Sequence, residues 1–200
     1  MDARTLIGAP REIHTGRLRL LTPQADHAAA FLESHTTSLP LLRFIAWGQQ
    51  LRDGRWAERF QRDAAAMVEA GECLIYNVFL RDGGAYVGRV DLHSFDFEVP
   101  RCEIGYVGDA RHAGRGLMRE AARAVIDAGF GLGLARIHAI TDARNAGALR
   151  FAERLGLQRE GVLRCWERDP QGALADAVIL AAYNPLAPGT TTTEGSMPWP

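Results

Sequence analysis

The residues with the clearest chemical potential form one short run, Gly108-Asp109-Ala110-Arg111-His112-Ala113-Gly114-Arg115-Gly116, just before a helical pattern that opens at Leu117. Glycines at 114 and 116 let the backbone bend and leave its N–H groups uncovered, and the helix behind them offers the positive end of its dipole. Such a turn can hold an anion, for example a pyrophosphate. One known phosphate cradle is excluded and another is weakly matched. A P-loop needs a lysine after its last glycine, and all 23 basic residues here are arginine. A dinucleotide fingerprint needs a third glycine where Arg119 stands, and Gly108 lies too far upstream to supply the pattern.

The elements that must position this run follow from periodicity and turn chemistry. Arg101 to Val107 reads as the strand that enters it, with Glu103 on the face opposite Cys102, Ile104 and Tyr106. Leu117 onward reads as a helix: Leu117, Ala121, Val125 and Ala128 face inward, and Arg123 pairs with Asp127 at i,i+4. Upstream, Ile13 to Thr22 reads as one strand, Gln24 to His35 and Arg52 to Ala70 as helices, and the intervening Thr36 to Gln50 is too apolar for a free loop. Trp47, Trp56 and Phe60 suit core packing. Cys73–Leu80 and Ala85–Ser94 flank Arg81-Asp82-Gly83-Gly84, a hairpin turn whose last residues accept positive φ. Leu134–Thr141 is a further strand and Ala146–Leu155 a helix ending at Gly156; strands near Gly161–Arg168 and Leu174–Tyr183 join through Asp169-Pro170-Gln171-Gly172. No internal repeat is visible.

Composition bounds the rest. Two hundred residues with 47% hydrophobic and 24% charged content suit one domain, expected over residues 12–186, with a flexible lead-in at 1–11 and a Pro-, Gly- and Thr-rich disordered tail at 187–200. A net charge of -1 gives no electrostatic case for nucleic acid or an anionic membrane as partner. Three cysteines, Cys73, Cys102 and Cys165, without paired spacing and without a signal peptide point to a reduced, cytoplasmic protein, and no stretch is long enough to span a bilayer.

Arg111-x-x-Gly114-x-Gly116 after Glu103-Ile104-Gly105-Tyr106 resembles the acetyl-CoA motif of the GNAT acetyltransferases, most closely the RimJ/RimL-like branch. Asn145-x-x-Ala148-x-Arg150, followed by Glu153-Arg154-Leu155-Gly156-Leu157 and Glu160-Gly161, is similar to a second family element in the expected order. The resemblance spans roughly residues 12 to 184 and implies an α+β GNAT fold, a mixed central sheet of about seven strands with flanking helices. It implies an N-acetyltransferase in which a primary amine attacks acetyl-CoA directly, with no metal, acting as a monomer or homodimer. The acceptor is a protein N-terminal amine or a small-molecule amine such as an antibiotic, polyamine or amino acid; a non-catalytic acyl-CoA-binding module is the reading from another class.

Carried onto this sequence, the resemblance places the cofactor against Tyr106, Val107, Gly108, Arg111, His112, Ala113, Gly114, Arg115, Gly116, Leu117, Asn145 and Arg150. The amides of residues 111–116 take the phosphates, Arg111, Arg115 and Arg150 add charge, and an N–H at Val107 or Gly108 polarises the thioester carbonyl. Glu103 is the first candidate for the base, Glu167 the second, and His93 with Asp91 the third. The chain departs from the family at the acid: the usual tyrosine and serine positions hold Ala152 and Ala148. Asn145 can still hold the pantetheine arm, and Cys165, a water or an unassigned tyrosine is left to protonate the thiolate.

Overall fold

A computed structural model describes residues 1–45, 48 and 52–187. Eight strands form one sheet in the order β1-β2-β3-β4-β5-β6-β8-β7. They are β1 Glu12–His14, β2 Leu18–Leu21, β3 Leu74–Leu80, β4 Tyr86–Asp96, β5 Arg101–Gly108, β6 Arg136–Asp142, β7 Gln158–Arg168 and β8 Leu174–Tyr183. Every neighbouring pair is antiparallel except β5 and β6. The helices are α1 Ala3–Ile7, α2 Ala28–Ser38, α3 Gly54–Glu69, α4 Leu117–Gly131 and α5 Ala146–Arg154.

Two expectations are corrected at the N-terminal end. The single strand expected from Ile13 to Thr22 is a hairpin, β1 and β2, which is why the sheet has eight strands rather than seven. The reversal at Thr15-Gly16-Arg17 is closed by Thr15 N–H on the Leu18 carbonyl at 3.0 Å and by Leu18 N–H on the Thr15 hydroxyl at 3.1 Å. Alternation does not reveal it, because a tight turn can sit inside an alternating pattern. The expected loose lead-in contains α1, capped by Asp2 with Thr5 in a reciprocal box. Five residues cannot hold a helix by propensity. Burial does it: Leu6 and Ala9 are buried, and Tyr76 donates its hydroxyl to the Pro10 carbonyl at 2.6 Å.

The two faces of the sheet are covered unequally. Leu117, Ala121, Val125 and Ile126 of α4 and Leu149 and Ala152 of α5 share a core with Val90, Leu92, Cys102, Ile104, Ile137 and Leu180. On the opposite face α3 packs Ala64 and Val68 on Ile75 of β3, and α2 packs Phe31 against Tyr86 of β4. A buried polar cluster fastens that side, with Asn77 Nδ2 bonded to Gln61 at 2.7 Å and to His27 at 3.0 Å and the Tyr86 hydroxyl bonded to Asn77 at 3.2 Å. Trp56 and Phe60 stack with Phe31 in this layer, half-buried; Trp47 lies outside the described residues, as does the tail from 188.

A glycine pair sets how closely α4 approaches the sheet. Gly88 and Gly108 are cross-strand neighbours, and a Cβ on Gly88 would meet the Val107 carbonyl oxygen at 2.4 Å and the Met118 sulfur at 2.6 Å. Gly88 also sits at φ 154°, in a bulged register of β4 that side chains rarely adopt. Met118, on the first turn of α4, therefore lies directly on the end of β5.

Candidate active site

The turn after β5 is shaped by Asp109, not by glycine alone. Its carboxylate accepts the Arg111 N–H at 2.8 Å and caps a 3₁₀ turn over Ala110–His112. His112 N–H is bound to the Asp109 carbonyl, Ala113 N–H to that of Ala110, and Arg115 N–H, at 3.4 Å, to that of His112. This corrects the expectation that all amides from 111 to 116 face an anion. Among the described residues the N–H groups left without a partner are those of Gly114, Gly116, Leu117, Met118 and Arg119. Gly114 and Gly116 stand at φ 76° and 74°, so the chain enters α4 through two left-handed residues and presents its first amides to solvent. A Cβ on Gly114 would meet nothing within 4 Å, so an open concavity faces this backbone.

Arg111 is committed elsewhere. Its guanidinium bonds both oxygens of Asp109, at 3.0 and 2.7 Å, and also pairs with Glu33 of α2. Asp109 is fully buried; burial opposes its ionisation, but the bonds from Arg111 win and hold the carboxyl below its ordinary value. Arg111 is thus a brace between the turn and α2, which Ser38 reinforces by accepting the Ala110 N–H at 2.9 Å. The loop after β6 repeats the device: Arg144 bonds Asp142 at 2.9 and 2.6 Å and reaches Asp169, in the β7–β8 turn, at 3.1 Å. The sequence signal for both braces is the echo of Asp109-Ala110-Arg111-His112-Ala113-Gly114 in Asp142-Ala143-Arg144-Asn145-Ala146-Gly147.

Between these loops the sheet splits. β5 and β6 pair only at Arg101–Glu103 with Arg136–His138, so the edge of β5 from Ile104 to Gly108 has no strand beside it. Such an edge offers free backbone donors and acceptors along a cleft. Asn145 caps α5 at the far wall by accepting the Ala148 N–H at 3.1 Å, which leaves its amide hydrogens available. Arg150 is exposed on α5. Tyr106 lies half-buried against Phe151 with ring centroids 4.5 Å apart, on the α4 and α5 side.

On the other face three titratable side chains meet at the apex of the split. His93 Nδ1 lies 2.9 Å from Asp91, and His93 Nε2 lies 3.9 Å from Glu103, its cross-strand neighbour. Gly105 makes this possible, because a Cβ there would stand 2.8 Å from the Asp91 carboxylate. Asp91 stays ionised: burial opposes it, but His93 and Arg89 outweigh that and lower its pKa. Its hydrogen bond raises the pKa of His93. Glu103 is raised, first by burial and also by Asp91, while His93 and the Ile140 N–H pull the other way. Glu167, exposed on β7, is near enough to push Glu103 slightly further up. The first and third candidate bases are therefore one cluster, with the second at its rim.

One residue was missed by sequence reasoning. Arg17 reaches the start of α4 from the β1–β2 turn, donating to Glu120 at 2.7 Å and to the Arg115 carbonyl at 3.1 Å. Nothing local in the sequence marks a residue that acts across a hundred positions. Among the described residues, no group of three or more His, Cys, Asp or Glu is placed to hold a metal ion, and no helix is long and apolar enough to cross a membrane.

Residues 17–158 match the acetyltransferase (GNAT) domain family. The chain is 30% identical over 112 residues to the uncharacterized N-acetyltransferase p20 of Bacillus licheniformis, covering 56% of this chain and 62% of that protein, less than two thirds of its length. It is 33% identical over 144 residues to the probable N-acetyltransferase YjcK of Bacillus subtilis (strain 168), covering 69% and 72%. Its fold is similar to that of RimL, the ribosomal L7/L12 α-N-protein acetyltransferase solved with coenzyme A, with a TM-score of 0.78, 18% identity, and coverage of 86% of this chain and 97% of that one.

Proposed function

The chain belongs to the GNAT acetyltransferases, and on that premise we propose that it carries the acetyl group of acetyl-CoA to the N-terminal amine of a protein by direct attack. The observation that carries this reading is the split between β5 and β6, with an anion cradle at its mouth and a base cluster at its apex. Acetyl-CoA supplies the activated thioester. The free amides of Gly114 and of Gly116 to Arg119 fit its pyrophosphate, and the open edge of β5 fits an extended pantetheine arm, held also by the Asn145 amide. A backbone N–H at Val107 or Gly108 polarises the carbonyl.

Glu103 takes the proton from the acceptor's ammonium, directly or through a water, to free the attacking amine, and His93, held by Asp91, lies beside it and lowers its pKa. Tyr106 supplies the departing thiolate with a proton. Of the four tyrosines, Tyr76, Tyr86 and Tyr183 have hydroxyls bonded to Pro10, Asn77 and Glu160. Burial lifts the Tyr106 pKa to about 12, so it keeps its proton at neutral pH.

Two features favour a chain terminus over an enclosed small molecule. Among the described helices, those on the base-cluster side pack chiefly on β3 and β4 rather than on β5, β6 and β8. Glu103 and Glu167 lie near enough to influence each other there, carboxylates that folding brings together from separate stretches and that suit a cationic terminus. The likeness to RimL, which by its name acts on a protein α-amine, supports the same reading. A thiol-release assay with acetyl-CoA against N-terminal peptides, lysine peptides, polyamines, aminoglycosides and amino acids tests it. Release with N-terminal peptides is expected. Release with another class alone would reassign the acceptor, and none at all, with coenzyme A binding shown by calorimetry, would favour a binding module.

A further inference from the structure

We infer that Arg17, in the turn between β1 and β2, is a phosphate ligand of the cofactor; this rests on assigning the Gly114–Gly116 turn to the pyrophosphate of acetyl-CoA. The turn is locked onto the first turn of α4 by Glu120, which accepts the Arg17 N–H at 2.9 Å, Arg17 Nε at 2.7 Å and the Thr15 hydroxyl. Those bonds lower the pKa of Glu120 despite its partial burial, so the pair is ionic at neutral pH. The guanidinium is then held in one place: Nη1 donates to the Arg115 carbonyl at 3.1 Å, and Nη2 stands 3.8 Å from where a Cβ on Gly116 would be. No acceptor meets Nη2 among the described residues. A fixed donor with an unused edge thus lies on the rim of the free amides.

The local charge balance favours an anion there. The start of a helix carries about half a positive charge, and a cation beside it costs roughly 0.3–1 kcal/mol. This end nevertheless collects Arg17 and Arg115, with Glu120 the one carboxylate paired to either among the described residues. Arg115 Nη1 meets only His112 Nδ1, at 2.9 Å, which accepts as a neutral ring. By contrast, Arg111 and Arg144 each hold two carboxylates. The arginines divide by function: two brace loops to walls of the site, and two stand at the cradle with capacity to spare. A diphosphate ester satisfies both the spare donors and the helix end.

The test is calorimetric binding of coenzyme A, at two salt concentrations, to the wild type and to Arg17→Gln, Arg17→Lys, Arg115→Gln and Gly114→Val. Losing a charge-assisted bond to phosphate should weaken the Kd of Arg17→Gln about ten- to a hundredfold, flatten its salt dependence, and be partly restored in Arg17→Lys. The Arg17 amide and Thr15 still bind Glu120 in Arg17→Gln, so the turn stays docked. The loss in kcat/KM should be far larger with acetyl-CoA than with S-acetylpantetheine, which offers the same thioester without phosphates; equal losses on both would mark Arg17 as a structural brace and overturn the inference. So would a Kd for Arg17→Gln within twofold of wild type while Arg115→Gln and Gly114→Val bind weakly. If none of these variants weakened binding, the cradle assignment itself would fall, and the inference with it.

Discussion

At the scale of single residues, the proposed reaction turns on a glutamate whose pKa burial raises and a histidine that lowers it. His93 lowers the pKa of Glu103, whereas burial and Asp91 raise it. Removing the cation should therefore let the Glu103 pKa climb. In His93→Gln the acid limb of the kcat/KM profile for the amine should move to higher pH; a limb that stays in place or moves down would detach His93 from the base. Tyr106→Phe keeps the ring against Phe151 and removes only the hydroxyl, so kcat should fall about ten- to a hundredfold while coenzyme A affinity holds, if that group protonates the thiolate. An unchanged kcat would hand the task to water. These residues were partly legible in the sequence. Alternation put Glu103 on its own face, and His93 with Asp91 was visible as a pair two residues apart on one strand. Their meeting was not, because the β4–β5 register that sets His93 opposite Glu103 includes an irregularity between His93 and Asp96 that no local pattern announces. Arg111 was legible as a cation among glycines, but its partner Glu33 lies 78 positions away.

At the scale of elements, two glycines with positive φ do different work, and stability measurements can separate them. Gly114 at φ 76° faces open space, so alanine there costs only backbone strain, about 1–2 kcal/mol. Gly88 meets both strain and collision, with the Val107 carbonyl and Met118 in the way. Gly88→Ala should lower the urea midpoint clearly more than Gly114→Ala and loosen α4 from β5; equal losses would mean the helix start can shift freely. The braces titrate. Asp142 is nearly fully buried and its pKa is held down first by its bonds to Arg144. A lowered acid contributes stability that is present above its unfolded pKa and lost as pH falls through the folded one. Asp142→Asn should cost about 1–3 kcal/mol at neutral pH, and the gap to wild type should shrink in acid below the ordinary aspartate range. A gap independent of pH would mean that shape, not charge, holds the loop. The hairpin of β1 and β2 was hidden from sequence because its turn interrupts the alternation by only three residues.

At the scale of the whole molecule, the sheet works as a partition with one opening. Its α4 and α5 side carries the Gly114–Gly116 turn, its other side carries Asp91, His93 and Glu103, and the proposed function joins them through the split between β5 and β6. Strand order and the loops at the carboxyl ends of β5 and β6 make this arrangement, which is why the glycine run and the Asn145 element, in that order, were enough to point to the family. The same partition bears on chemistry. Cys102 faces away from the base cluster with its thiol pushed up by burial, Cys73 is buried beneath α3, and Cys165 stands exposed in a bulge of β7. None is placed as a nucleophile at the opening, which supports the proposed direct attack with amine and thioester bound together. Initial rates measured with acetyl-CoA and an acceptor peptide varied against each other, with the intact mass of the enzyme after acetyl-CoA alone, test this most directly. Intersecting double-reciprocal lines and an unmodified chain are the result this account predicts; parallel lines with a chain heavier by one acetyl group would contradict it.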